Sequence, residues 1–375
     1  MEHTFTEKIK SILQKYFDQQ ADDIFAGSQL LQYINIKTRS ANKGSKARSS
    51  FANLYAIYVL VEDYIEKGYD QQGEYSKDEG ALFSKLLSRQ RELPFGSKLQ
   101  NHALNNRMNS EFQKYFPNSP YIPILRNIET NRYWINENLL KIQLNKSTFN
   151  IAKAIIKIID EYVKTKQDAL DRFVASCIEL QTIENLDSAK LQDFIINLLA
   201  PNVDARLFEI VSYCILKFYY HDQTMIWGFS MSELITENLK LYKTGRTNAN
   251  DGGIDFVMKP LGRFFQVTET LDFKKYFLDI DKIQKYPITF VIKSDQSPEE
   301  LMDKIRQNAI KIYGIENIVN RYMACIEEII NISILQERLN IAIKQGYLNQ
   351  ILGEIIIQSQ VEFNYEESDR PKKSE

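Results

Sequence analysis

Asp255 is the acid around which chemistry can be built. It stands alone among β-formers in Gly252-Gly253-Ile254-Asp255-Phe256-Val257-Met258, and a second such run follows, Arg263-Phe264-Phe265-Gln266-Val267-Thr268-Glu269. Lys259-Pro260-Leu261-Gly262 separates the two and predicts the turn of a β-hairpin. Any symmetric even-length loop sets Met258 opposite Arg263 and Asp255 opposite Gln266, and opposed residues share a face. A carboxylate beside an amide oxygen is a donor pair for a hard divalent cation. The competing use of Asp255 is a strand-end acid whose oxygens are satisfied by turn amides.

A second carboxylate lies upstream. Asp204 predicts a helix cap, and Leu207, Ile210, Val211, Cys214, Ile215 and Phe218 fall on one face of the helix that follows. Glu209 lies on the other side with Tyr213, Leu216 and Tyr220, which is also largely apolar. Buried there, it needs a metal or a basic partner; a solvent-exposed helix Glu is the competing reading. The segment Leu241–Asp251 leads into Asp255 and reads as a loop. Its backbone amides, Lys243 and Arg246 suit a phosphate, and Asn248 and Asn250 join them as DNA-contact candidates.

The remaining chain must position these groups. It has 375 residues, 44% apolar and 26% charged, with a formal net charge of −2. Near-neutrality excludes a global basic field, so any nucleic-acid surface is local. Two stretches qualify. Lys37–Arg48 carries Lys37, Arg39, Lys43, Lys46 and Arg48 without one acid. It reads as a solvated linker or as a loop that orders on DNA, and the hairpin favours DNA. Lys98–Asn109 is rich in amides, and Lys98, Gln100, Asn101, Asn105 and Arg107 suit base edges as well as ordinary loops and caps.

Helical spacing recurs over residues 5–35, 51–64 and from about 147 to 180, and Ser297-Pro298 opens long C-terminal helices. The expected organisation is a helical N-terminal region (1–200), a core of strands and helices (201–295), C-terminal helices (296–365) and a disordered charged tail (366–375). Cys177, Cys214 and Cys325 are far apart in apolar patterns and fit buried, reduced thiols. The polar start carries no signal-peptide core, and no apolar run reaches spanning length. A soluble cytoplasmic protein is expected, with no membrane partner.

A helix bearing Glu209, a strand with Asp255, a strand with Gln266-Val267-Thr268, then helix and strand resembles the PD-(D/E)xK core of type II restriction endonucleases. The run from Gly245 to Phe256 and on through Phe265-Gln266-Val267-Thr268-Glu269 is similar to the ApaLI-like restriction endonucleases. The likeness covers about residues 200–295. It implies an α/β fold, mostly helical overall, with a restriction-endonuclease-like mixed sheet flanked by helices. It implies a Mg²⁺-dependent enzyme that cuts double-stranded DNA as a homodimer at a short palindrome, with GTGCAC the family expectation, leaving 5′-phosphate ends.

Carried over by residue, Asp255 becomes the metal carboxylate and Glu209 the helix carboxylate. Gln266 stands where the family has Glu, and Thr268 where it has Lys. Glu269 is one residue out of phase and needs a bulge to face the site. Lys274 and Lys275 are candidates to fold back toward it. The departures keep two other readings open, a catalytically inactive nuclease-fold DNA-binding protein and a helical scaffold with a structural hairpin.

Overall fold

A computed structural model describes residues 2–39, 47–97, 99–182, 188–201, 203–244, 254–269 and 273–363. The architecture is α/β and mainly helical, in two compact units that divide within one long helix at Phe173/Val174, upstream of Pro201.

The first unit opens with α1 (Thr6–Phe17), α2 (Ala21–Gly27), α3 (Gln29–Thr38) and α4 (Ala47–Glu66). Then come β1 (Ala81–Leu82), α5 (Phe83–Glu92), a π-helical turn (Ala103–Arg107) running into α6 (Met108–Tyr115), β2 (Ile124–Asn127) and β3 (Arg132–Ile135). The hairpin β4 (Lys141–Leu144) and β5 (Ser147–Asn150) leads to α7 (Ala152–Thr182), which crosses into the second unit. α4 is apolar nearly all round and forms the centre of this core, with Leu54, Tyr55, Ile57, Leu60, Val61 and Tyr64 all buried. The helical pattern expected from Ser147 begins instead at Ala152. Asn145 and Lys146 both adopt positive φ (48° and 68°), forming the two-residue turn that closes the β4–β5 hairpin first.

The second unit contains α8 (Ser188–Asn197), α9 (Ala205–Tyr220), the hairpin β6 (Thr224–Trp227) and β7 (Ile235–Asn238), β8 (Lys240–Lys243), β9 (Phe256–Lys259) and β10 (Arg263–Thr268). It continues with α10 (Phe273–Lys282), β11 (Ile288–Ile292), α11 (Pro298–Tyr313), α12 (Glu316–Met323), β12 (Ile326–Ile330), α13 (Ile332–Lys344) and α14 (Leu348–Phe363). Its main sheet runs β12-β11-β10-β9-β8. β8, β9 and β10 are antiparallel, and β10, β11 and β12 are parallel. β8 replaces part of the expected loop: Leu241 is buried between exposed Lys240 and Tyr242, so this short run completes the sheet edge.

Helices cover both faces. On one, α9 supplies Tyr213, 5.3 Å from the Phe256 ring, and Tyr220, 6.3 Å from Phe265. On the other, the Tyr276 ring of α10 lies 4.7 Å from Phe290 at a tilt, within a cluster that includes Leu301, Ile305, Val319 and Tyr322. The caps explain where two helices begin. The Asp204 side chain accepts from the Arg206 amide at the start of α9. Ser297 and Glu300 form a reciprocal capping box at α11, with Pro298 in the first turn. All three cysteines are buried and unbridged. Among the described residues no helix is long and apolar enough to cross a membrane.

Candidate active site at one end of the mixed sheet

The hairpin forms with the expected pairing, Arg263 opposite Met258 and Phe265 opposite Phe256. Gly262 takes a φ of 70° and its amide donates to the Met258 carbonyl, so the residue without a Cβ sits where the turn needs the left-handed region. Beyond Phe256 the ladder departs from the expected register. The Asp255 amide donates to the Phe265 carbonyl at 2.9 Å, although Phe265 already faces Phe256. Two residues on one strand then meet one on the other, as in a bulge, which re-aims the extra side chain. The irregularity that sequence reasoning required at Glu269 thus occurs at Asp255.

The consequence is local and polar. Asp255 Oδ2 accepts the Val267 amide at 2.7 Å, a side chain standing in for a ladder carbonyl. Gln266 Nε2 donates to the carbonyl of the same Val267 at 3.2 Å. Within a strand the N–H and C=O of one residue point the same way, so Asp255 and Gln266 converge on one edge of the Val267 backbone. Gln266 is only 5% exposed, and its Oε1 is buried and accepts no hydrogen bond from any described residue. An unpaired buried carbonyl of this kind costs about 1–3 kcal/mol, so an occupant that uses it regains that amount.

Other candidates gather at the same end of the sheet by different routes. β8 ends at Lys243, paired with Phe256, and the Thr244 amide donates to the Asp255 carbonyl. Glu209, on α9, lies 3.5 Å from the Lys243 ammonium, so a basic partner answers the burial question raised by its apolar face. Lys243 also lies 5.9 Å above the Tyr213 ring. Thr268 is buried and pairs with Ile292 of β11. Gln266 and Thr268 alternate with Phe265 and Val267, toward the α10 side of the sheet. Glu269 projects to the α9 side.

Glu269 has a partner that the sequence reading did not include. Lys293 follows β11 directly, and its amide continues the parallel ladder by donating to the Thr268 carbonyl. Its ammonium lies 4.0 Å from Glu269 Oε2, donates to the Val203 carbonyl and sits 5.7 Å above the Phe208 ring. Burial pushes this ammonium below the ordinary lysine range, against the opposing pull of Glu269 and Asp204. The available signal was a fully buried strand, Ile288–Ile292, ending in a lysine.

The residues assigned to DNA contact divide. Lys37 is not part of a free basic loop. It ends inside α3, is 7% exposed, and pairs with Glu111 at 2.8 Å, while Asn53 donates to the other Glu111 oxygen. Helical continuation carries it inward, where the apolar packing of α3 on α4 demands a counter-charge. Arg39 is exposed just beyond α3. The amide-rich stretch is helical only from His102: Asn105 accepts from the Tyr133 hydroxyl and Arg107 is exposed there, while before it Asn101 is half-buried and Gln100 exposed. Lys43, Lys46, Lys98, Arg246, Asn248, Asn250, the side chains of Arg48, Lys274 and Lys275, and the tail 366–375 lie outside the described residues.

Among the described residues no three His, Cys, Asp or Glu side chains gather as a metal-binding group. What does come together at Val267 is the Asp255 carboxylate on its amide and the Gln266 side-chain amide on its carbonyl. No family model, no curated protein and no solved structure matches the chain.

Proposed function

We propose that this protein is a Mg²⁺-dependent phosphodiester hydrolase that cuts double-stranded DNA, a type II restriction endonuclease with a restriction-endonuclease-like core in its second unit. The observation that carries the reading is that Asp255 and the Gln266 amide both bond to Val267, while Gln266 Oε1 accepts no hydrogen bond among the described residues. A hard divalent cation takes oxygen ligands of this kind, one charged and one carbonyl-like, so the residues present fit Mg²⁺. Bound there, Mg²⁺ supplies charge stabilisation at the phosphate and a more acidic water.

The chain's own residues do the rest. Asp255 and Gln266 hold the cation. Glu209, paired with Lys243, lies at the neighbouring strand, where it completes the acidic set or, through Lys243, sets charge toward a phosphate. Thr268 occupies the position where the family resemblance implies a lysine. Arg39, Lys43, Lys46, Arg48, Lys98, Gln100, Asn101, Asn105, Arg107, Lys243, Arg246, Asn248 and Asn250 form the proposed DNA-contacting set, phosphate contacts from the cations and base-edge contacts from the amides. A palindromic target requires two-fold symmetry in its reader, so the working form is a homodimer.

The test is digestion of supercoiled plasmid of known sequence with the full chain and Mg²⁺, followed by sequencing of the ends. Discrete fragments with 5′-phosphates at one short palindrome are expected. DNA retention without Mg²⁺-dependent cutting would instead establish the inactive DNA-binding reading, which the buried Thr268 in the lysine position favours.

A further inference from the structure

We propose that Lys293 is a positioning residue of this site, entering from β11 to hold the Glu269 carboxylate at the sheet end where Asp255 and Gln266 meet. The inference rests on the phosphodiesterase reading and adds to it the acid that receives the proton of the attacking water.

Topology brings the groups together. β10 and β11 run parallel with Thr268 beside Ile292, so the next residues on each strand, Glu269 and Lys293, leave the sheet side by side. Val267, which anchors Asp255 and Gln266, lies two residues before Glu269, about 7 Å along a strand. Asp255 enters the same end from β9, antiparallel to β10. Gln266 lies toward α10 and Glu269 toward α9, so the two would flank the end of β10 from opposite faces of the sheet.

Energetics argue that the lysine is not there for packing. Its side chain is 3% exposed, against 22% for Glu269, and the two charged groups are 4.0 Å apart. Burying an ammonium costs several kcal/mol, and a loose pair to a half-buried acid with one backbone carbonyl offsets that only in part. The groups facing Lys293 are Glu269 from β10, Asp204 and Phe208 from α9, and the Val203 carbonyl before it. If the lysine served only to tie Val203 to the sheet, the position would tolerate an apolar side chain without kinetic effect. A buried charge 4.0 Å from a carboxylate instead biases where that carboxylate points.

Glu269 takes a proton from water as the water oxygen bonds to phosphorus. The P–O3′ bond breaks, its electron pair leaves on O3′, and that oxygen takes a proton from bulk water. Products are a 5′-phosphate and a 3′-hydroxyl.

The experiment compares Lys293→Met, Lys293→Arg, Glu269→Gln and the Lys293→Met/Glu269→Gln double variant with the parent, using the full chain, Mg²⁺ and supercoiled plasmid. Asp255→Ala is the reference for the underlying reading, and circular dichroism reports folding. Lys293→Met and Glu269→Gln are each expected to slow cutting about 100-fold, the scale of a lost general base. Lys293→Arg is expected to recover to within about tenfold of the parent, because the charge is restored. The double variant is expected to be no slower than Glu269→Gln alone, since residues acting through one another do not add.

Additive losses, or Lys293→Met cutting within about twofold of the parent while Asp255→Ala is inactive, overturn the proposal and leave the phosphodiesterase standing. Should Lys293→Met fail to fold, Glu269→Gln at the parent rate overturns it just as directly. Asp255→Ala cutting at the parent rate removes the underlying reading itself.

Discussion

Gln90 in the first unit and Gln266 in the second are both buried with an amide oxygen that accepts nothing from the described residues. Gln90 is wholly enclosed, and its nitrogen is unpartnered too. It shares a face of α5 with Leu86, and its own carbonyl lies so close to Gly96 that a Cβ there would stand 2.0 Å away. Gln266 differs in what stands next to it. Asp255 binds the same residue that Gln266 binds, and the pair sits where several strands end. An orphaned polar atom is therefore not a site by itself. It becomes one when a carboxylate shares its anchor.

The comparison can be broken at its strongest point. Asp255→Ala removes the carboxylate bound to Val267, and cutting is expected to fall about a thousandfold, the several kcal/mol that a metal contributes at a transferring phosphate. Binding of the plasmid, measured by retardation in a gel without Mg²⁺, is expected to persist. Cutting at the parental rate would leave Gln266 no different in kind from Gln90.

Gln266→Met gives an intermediate effect with opposite signs in two assays. Cutting is expected to fall about tenfold, because a neutral ligand contributes less than a charged one. Stability in urea is expected to rise by about 1 kcal/mol, as the orphaned oxygen is replaced by an apolar side chain. A loss in both assays would mean that Gln266 is a packing residue.

Gln90→Met sharpens the contrast with the smallest functional effect. It is expected to gain about 1–2 kcal/mol in the same urea titration, since two unpaired atoms disappear at once, with cutting unchanged. A loss of cutting would show that the first unit's orphan is functional after all.

Local patterns carried much of the architecture. The caps at Asp204 and Ser297, the all-round apolar run that became α4, and the Met258–Arg263 pairing depend on neighbours a few residues apart, which a sequence displays directly. Three features did not follow. The step at Asp255 arises because a side chain competes with the backbone for the Val267 amide, and alternation rules assume that the backbone wins. Lys37 reads as the start of a basic run, yet Glu111 and Asn53 draw it into a polar cluster from distant helices. Lys293 reaches Glu269 only because β10 and β11 are parallel, a pairing set by a crossover and not by any local spacing.

That crossover has a bearing on when the site comes into being as the chain folds. The β9–β10 hairpin closes over a short turn, so the contacts of Asp255 and Gln266 with Val267 are local in the chain. β11 must wait until α10 has formed and the longer loop has closed, at a cost in chain entropy that slows parallel pairing. The acid and amide are thus joined early, and the lysine arrives late. A partly folded chain would hold the first half of the centre without the second, and only completion of the parallel ladder would assemble both.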